Sequence, residues 1–485
     1  MPVAAPIFLV WYYFRTSILA MMPAGTDEID YWHEILTFRS VGFAGGYYGV
    51  DEATPVVPFL HFGAHGPAFP ALFGSLSKVV GWNPNSGPLF NAIALMAAVV
   101  IFLAVVKPTG RVMLLVAVVL ATYWPITLYF VTSMQESLHQ AIAIVLAAFF
   151  IVIIRRPAED RRRIVYATVA VLIAASLLRT TWSFLFFPLF FLSGSASQGW
   201  RRIIMAGLKA APLIGVSFLV AVPINSPFPN FVTHLMSTAR VSPRAAVHMF
   251  DQHLRENVRA LITGPTIDIV FRVVIVLVIL IAIVMLLRVS ASRRLSEGVS
   301  ASWFHVLNLL PIFAFTMAFY DTVLLRDYRL IAPHLLVSIL VAVAVSDRLV
   351  VGTALAGALA ASLAIGPTFF SYNHAHFVPQ HTSAAALSRL VTYSPGADPW
   401  RNTVLVDHAN YRSQLLSLPP GIGFTLLYRA KPNPIRSHYL LFEDSTFEAL
   451  DHPEEWQLLG KTNLGGLYVR RADVQTAGQN NPSGR

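Results

Sequence analysis

Residues 137–178 read SLHQAIAIVLAAFFIVIIRRPAEDRRRIVYATVAVLIAASLL. Two apolar runs, 137–154 and 164–178, stand on either side of the basic segment RRPAEDRRR at 155–163. A helix needs about 20 apolar residues to cross a hydrocarbon core roughly 30 Å thick, so this stretch reads as two helices turning back through a membrane at a basic loop. The rest of the chain agrees. Of 485 residues, 55% are hydrophobic and 12% charged, with a mean hydropathy of +0.61. Soluble domains carry about 25% charged residues, and half that supply cannot cover a water-facing surface of this size.

The same scan gives eleven candidate spans, at 3–23, 87–106, 112–132, 137–154, 164–178, 181–195, 203–224, 268–287, 303–320, 330–346 and 349–366. The loops closing the even-numbered spans hold Lys107 and Arg111, Arg155 to Arg163, Arg201 and Arg202, Arg288 to Arg294, and Arg348. Basic loops mark the cytoplasmic side, which places the N-terminus inside. The predicted fold is an all-α polytopic membrane protein of about 11 transmembrane helices, residues 1–366, with a small C-terminal soluble α/β domain at 367–473 outside the cytoplasm. A disordered tail is expected over 474–485. In the domain, TVLVDH (403–408), FTLLYR (424–429), HYLLFE (438–443) and GGLYVRR (465–471) read as short strands. The large first external loop, 24–86, contains HGPAFPALFGSLSKVVGW at 65–82, too short to span and read as an interfacial or re-entrant helix.

A net charge of +10 is explained by these basic loops, and no nucleic-acid partner is expected. The chain has no Cys, which excludes disulfides, thiolate metal sites and a Cys nucleophile. Met1 opens directly into an apolar segment without a basic n-region, so the first segment reads as a retained span rather than a signal peptide. There is no P-loop, Gly-rich dinucleotide turn or GxSxG elbow to support nucleotide-driven transport, dinucleotide redox chemistry or α/β-hydrolase chemistry.

GTDEIDYWHE follows the first span and sets Asp27, Glu28, Asp30 and Glu34 at the non-cytoplasmic mouth of the membrane. In a helix Asp27, Asp30 and Glu34 share one face, with Tyr31 and His33 alongside. This is either a solvated helix start, where acids favour the first turn, or a catalytic cluster. A second pair, Asp51-Glu52, lies in the same loop.

An Asp-Glu pair after the first span, in a large first external loop, resembles the GT-C superfamily of membrane glycosyltransferases, to which protein O-mannosyltransferases and the aminoarabinose transferases of lipid A belong. HGPAFPALFG at 65–74, SMQESLHQ at 133–140, LLRTTWSFLFFP at 177–188 and RDYRLIAPHLL at 326–336 resemble further motifs of that superfamily, in the same order. The resemblance implies transfer of a sugar from a polyprenyl-phosphate donor to a hydroxyl of a glycan, lipid or protein acceptor, on the non-cytoplasmic face of a bacterial-type inner membrane. It makes Asp27 the general base, with Glu28 and Asp30 beside it in the catalytic cluster. Arg179, Arg326 and Arg329 become the cations for the donor phosphate, and His65, Glu136 and Tyr328 substrate contacts.

The residue types suit that chemistry. An attacking hydroxyl needs a carboxylate to accept its proton, and a departing lipid phosphate needs fixed cations, a role the planar, permanently charged guanidinium fills well. External arginines also run against the positive-inside bias, although snorkelling at a helix end explains them equally. Arg15 falls within the first predicted span, which marks either a polar cavity or a span drawn in the wrong place. Cap or interface roles suffice for Glu136 and Asp321. His61 and His65 are four apart, a spacing compatible with metal, and Asp27, Asp30 and Glu136 supply hard oxygen ligands; a divalent cation is a possible cofactor of the superfamily. The competing class is a secondary transporter or lipid flippase, in which intramembrane charges line a path.

Overall fold

The computed structural model describes residues 1–54, 57–157, 160–194, 200–261, 263, 266–289, 296–320, 328–345, 348–378, 384–407, 413–428, 434–462 and 465–471. Among the described residues sixteen helices build the body: α1 Ala4–Phe14, α2 Thr26–Val41, α3 Ala68–Val80, α4 Ser86–Val106, α5 Gly110–Thr122, α6 Trp124–Tyr129, α7 Glu136–Arg155, α8 Arg162–Leu178, α9 Phe186–Ser193, α10 Trp200–Ile224, α11 Phe231–Val241, α12 Pro243–Ala260, α13 Thr266–Val289, α14 Glu297–Phe319, α15 Tyr328–Val345 and α16 Arg348–Phe377. Every apolar run read as a span contains helix. Length and composition alone qualify five among the described residues, at Ser86–Val106, Glu136–Arg155, Arg201–Ile224, Ile269–Leu287 and Glu297–Phe319. A sixth is the pair Arg348–Leu363 and Ile365–Phe377, bent by 59°.

The count of eleven is therefore not reached by that measure, and the shortfall has local causes. The first run stops at Arg15, which takes a left-handed conformation at φ 52° and ends an eleven-residue helix. Its guanidinium lies over the rings of Trp11 and Tyr12, at 5.1 and 5.7 Å, and the residue is exposed rather than turned into a buried polar cavity. The third run breaks between α5 and α6, where Pro125 begins a new helix and cannot continue the old one. Arg179 interrupts α8, and a 3-10 turn at Thr180–Leu185 leads into α9. These breaks release backbone carbonyls inside the bundle, where polar side chains meet them: Asn91 donates to the carbonyls of Phe130 and Thr132 at 2.9 and 2.8 Å.

The order of the helices fixes two ends. Glu136 opens α7, Arg179 follows α8 and Arg329 lies in the first turn of α15, all at one end of the bundle. Arg155, at the far end of α7, donates to the carbonyl of Ala344 at the far end of α15. Arg155, Arg156 and Arg161 to Arg163 thus lie opposite the end that carries the first loop and the C-terminal domain.

That domain is a six-stranded sheet in the order β1-β3-β2-β4-β6-β5, with β1 Gly49–Val50, β2 Thr403–Asp407, β3 Gly423–Leu427, β4 Tyr439–Phe442, β5 Trp456–Thr462 and β6 Gly465–Arg470. The four runs read as strands are β2, β3, β4 and β6. Two further strands differ from the sequence reading. Strand β5 alternates poorly, and β1 comes from the first loop, pairing parallel with β3 through Gly49 to Thr425 and Val50 to Leu426. The first loop and the C-terminal domain are consequently one folded unit. Gly46 sits so close to β2 and β3 that a Cβ would fall 1.8 Å from the carbonyl oxygen of Asn402. Helix α16 runs past the expected boundary at 366 to Phe377, bent by 59° between Leu363 and Ile365. The expected tail at 474–485 lies outside the described residues.

Between sheet and bundle, α2 and α3 pack through Trp32, Phe69, Phe73, Trp82 and Phe90. The short helix read at 65–82 begins at Ala68. Tyr48, 1% exposed, ties β1 to α2, its hydroxyl meeting His33 Nδ1 and Thr37 Oγ1 at 2.7 Å each.

Candidate active site

Two ion pairs meet at the loop-bearing end of the bundle. Arg329 Nη1 donates to Asp27 Oδ2 at 2.9 Å, with side chains 22% and 39% exposed; Arg179 Nη2 donates to Glu136 Oε1 at 2.9 Å, with side chains 8% and 2% exposed. The first pair is open and the second closed. They are linked, because Arg179 Nη1 also donates to the backbone carbonyl of Arg329 at 2.9 Å. Each guanidinium thus holds a carboxylate, and the buried one orients the segment that presents the accessible one.

Glu28 is buried and fully engaged. Its Oε2 accepts from the amides of Ala24 and Gly25 at 3.0 and 3.2 Å and lies 2.7 Å from His376 Nε2, while its Oε1 accepts from the amide of Ser133 at 2.7 Å. Burial works to raise its pKa, but the His376 charge and hydrogen bond and the amides of Ala24 and Ser133 outweigh it, and the net shift is downward. The carboxylate therefore stays charged as a helix cap and tether.

The shared face of Asp27, Asp30 and Glu34 divides along its length. Seven residues of helix rise about 10 Å, which carries Glu34 away from the ion pairs to the first-loop turn, where Gly63 N donates to its Oε1 at 2.6 Å. Burial, followed by the neighbouring Asp30 charge, drives the Glu34 pKa well above its ordinary value. Asp30 thus lies on the Glu34 side of α2. Tyr31 instead faces the pairs, accepting at its hydroxyl from Gln135 Nε2 at 2.8 Å and packing on the His65 ring at a centroid distance of 5.3 Å. Burial pushes His65 down to about 4, so it is neutral at physiological pH.

The other expected residues sort as follows. Arg326, Asp321 and Asp327 lie outside the described residues, and Tyr328 opens α15. Asp51 and Glu52 are latches to the C-terminal domain: Tyr428 N donates to Asp51 Oδ1 at 2.7 Å, and Arg436 N and Ser437 N donate to Glu52. His61 and His65 both precede α3 and lie on no helix; His61 bonds to the carbonyl of Gly45 while His65 packs on Tyr31. Among the described residues no group of three or more His, Cys, Asp or Glu is arranged to hold a metal ion.

Beneath Glu136 the bundle is polar. Trp182 Nε1 donates to His139 Nδ1 at 3.0 Å, and its ring stacks on His334, which meets Asn308 Oδ1 at 2.7 Å. Glu136 Oε2, His139 Nε2, Gln140 Oε1, Thr181 Oγ1 and His334 Nε2 are buried without a hydrogen-bond partner among the described residues. Such groups cost free energy in an apolar interior unless a ligand or water completes them. The sequence reading singled out Glu136 and Arg179 but missed Gln135, His139, Trp182, His334 and His376. Their signal was polar residues inside apolar runs, which gain meaning only once α7, the 3-10 turn after α8, α15 and α16 bring them together.

No protein-family model matches the chain, and no curated protein matches it. Among solved structures, ArnT from Cupriavidus metallidurans bound to undecaprenyl phosphate superposes with a TM-score of 0.50 at 12% identity, covering 96% of this chain and 97% of that one. An oligosaccharyltransferase from Archaeoglobus fulgidus in complex with zinc and sulfate gives 0.47 at 12% identity over 87% of this chain and 62% of that one. ArnT in the apo state gives 0.45 at 12% over 96% of each. The first of these shows a shared fold along essentially the whole chain, a helical membrane bundle with a C-terminal sheet domain, and this is the fold expected from the GT-C resemblance.

Proposed function

We propose that this chain is an integral membrane glycosyltransferase that moves a sugar from a polyprenyl-phosphate donor to an acceptor hydroxyl on the non-cytoplasmic face. The observation that carries this reading is the accessible Asp27–Arg329 pair, backed by the buried Arg179–Glu136 pair, at the end of the bundle opposite the arginine-rich segment 155–163.

Arg329 is well placed for a lipid phosphate. It lies in the first turn of α15, where the helix dipole adds positive potential, and at the bundle end, where a phosphate with its tail in the bilayer would lie. An arriving phosphate competes with Asp27 for the guanidinium. As Arg329 turns to the phosphate oxygens, the Asp27 carboxylate is released to accept the proton of the attacking acceptor hydroxyl. The hydroxyl oxygen forms a bond to the anomeric carbon, the anomeric carbon–oxygen bond to the phosphate breaks, and the bonding pair leaves with the polyprenyl phosphate. Arg329 then stabilises the leaving group's growing charge.

The unsatisfied polar atoms of Glu136, His139, Gln140, Thr181 and His334 suit the hydroxyls of the transferred sugar, and His65 and Tyr31 close the opposite side. No step requires a metal, and a divalent cation stays outside the account. The transporter reading explains less, because the charges form a closed constellation at one end of the bundle. ArnT bound to undecaprenyl phosphate shares the fold and supports a lipid-linked donor of that class. The direct experiment is Asp27→Asn, which removes the proton acceptor without opening a cavity. Transfer should fall by about 10²- to 10⁴-fold with an unchanged melting temperature, and activity within a few-fold of wild type would reject Asp27 as the base.

A further inference from the structure

We propose that Glu28 is the positioning residue of this site and that His376, at the end of α16, holds it in register. The proposal rests on the glycosyltransferase reading and assigns to Glu28 a role distinct from proton transfer. Both oxygens are committed, Oε1 to Ser133 N and Oε2 to Ala24 N, Gly25 N and His376 Nε2. Glu28 and His376 are 1% and 4% exposed.

A helix cap needs only the amides of Ala24 and Gly25. The contacts with Ser133 and His376 reach 105 and 348 residues along the chain and close a ring. Asp27 adjoins Glu28 and binds Arg329; the Arg329 carbonyl accepts from Arg179; Arg179 binds Glu136; and Glu136 is three residues from Ser133, whose amide returns to Glu28. A shift of Glu28 therefore moves both ion pairs at once, the accessible one through the first turn of α2 and the buried one through the turn preceding α7. The end of α16 also holds the segment leading into α2, because the His376 carbonyl accepts from Met22 N at 2.8 Å.

The sign of one measurement separates positioning from simple electrostatics. Removing a carboxylate near a phosphate site strengthens anion binding if the charge is all that matters. If Glu28 aligns Arg329, then Glu28→Gln should weaken binding of a polyprenyl phosphate by about tenfold and lower kcat by about a hundredfold, the scale of an ångström-sized misplacement. His376→Leu should behave like Glu28→Gln, and the double variant should be no worse than either single one. His376→Gln keeps an N–H donor and should recover to within about threefold of wild type. A merely structural role would lower the melting temperature of all variants without this split.

Tighter phosphate binding in Glu28→Gln, or additive losses in the double variant, would overturn the proposal, and His376→Leu at wild-type kcat would do so even if Glu28→Gln failed to fold. Asp27→Asn and Arg329→Ala, measured alongside, distinguish the two failures. If they act while the Glu28 and His376 variants do not, positioning alone is wrong; if they too are silent, the functional reading has failed and the proposal falls with it.

Discussion

Asp27 and Arg329 stand 302 residues apart in the chain and meet at 2.9 Å, the carboxylate from the first turn of α2 and the guanidinium from the first turn of α15. The pair joins the candidate base to the candidate phosphate ligand, and in the proposed function donor arrival and base release are one event. Partial exposure of both side chains leaves room for that exchange, whereas Arg179–Glu136 is closed to solvent.

The buried pair makes a stability prediction. Glu136→Gln leaves the Arg179 guanidinium, 8% exposed, without its counter-charge, and removing one partner of a buried pair costs about 3–5 kcal/mol. Chemical unfolding in detergent should show that loss, with much of it recovered in Glu136→Gln/Arg179→Met. A change under about 0.5 kcal/mol would mean the pair is solvated and contributes little.

Glu34 gives a pH dependence. Burial and Asp30 raise its folded-state pKa well above the ordinary 4.5, so in the window above 4.5 the folded protein binds more protons than the unfolded chain. Stability contributed by this residue therefore falls as pH rises through that window. Glu34→Gln keeps an acceptor for Gly63 N and carries no charge, so it should be more stable than wild type at pH 8, with the advantage shrinking toward pH 5. Thermal melts across that range test it, and an advantage that grows toward low pH would contradict the assignment.

Topology can be tested without chemistry. Basic loops on the cytoplasmic side are the basis for proposing an internal N-terminus and an external sheet domain, for which a reporter fused after Ser394 should be active only if its activity requires export. Cytoplasmic activity at that position would put the candidate site on the wrong face for a lipid-linked donor.

Much of this architecture was legible in the sequence because its signals are local. Long apolar runs located the helices, arginine clusters ordered their ends, and short apolar runs between Pro- and Gly-bearing turns located β2, β3, β4 and β6. Asp27, Glu136, Arg179 and Arg329 could be singled out through the order of motifs that resembles the GT-C superfamily, and the arginines also because external arginine runs against the positive-inside bias. What escaped depends on distance in the chain. Strand β1 is two residues long and exists only because β3 offers an edge; Glu34 follows Gly63 rather than Asp27; and Glu28 becomes a tether only once Ser133 and His376 arrive. Helical spacing correctly put Asp27 and Glu34 on one face, but a face two turns long meets two different neighbours.

The most direct measurement is mass spectrometry of lipid bound to the purified protein, comparing wild type with Arg329→Ala and Arg329→Lys. The account predicts a polyprenyl phosphate on the wild type, its loss in Arg329→Ala, and partial retention in Arg329→Lys, which keeps the charge but not the two-pronged geometry. Equal retention of the lipid by all three proteins, or a wild type that binds no phosphate-bearing polyprenyl lipid when one is supplied, would contradict it.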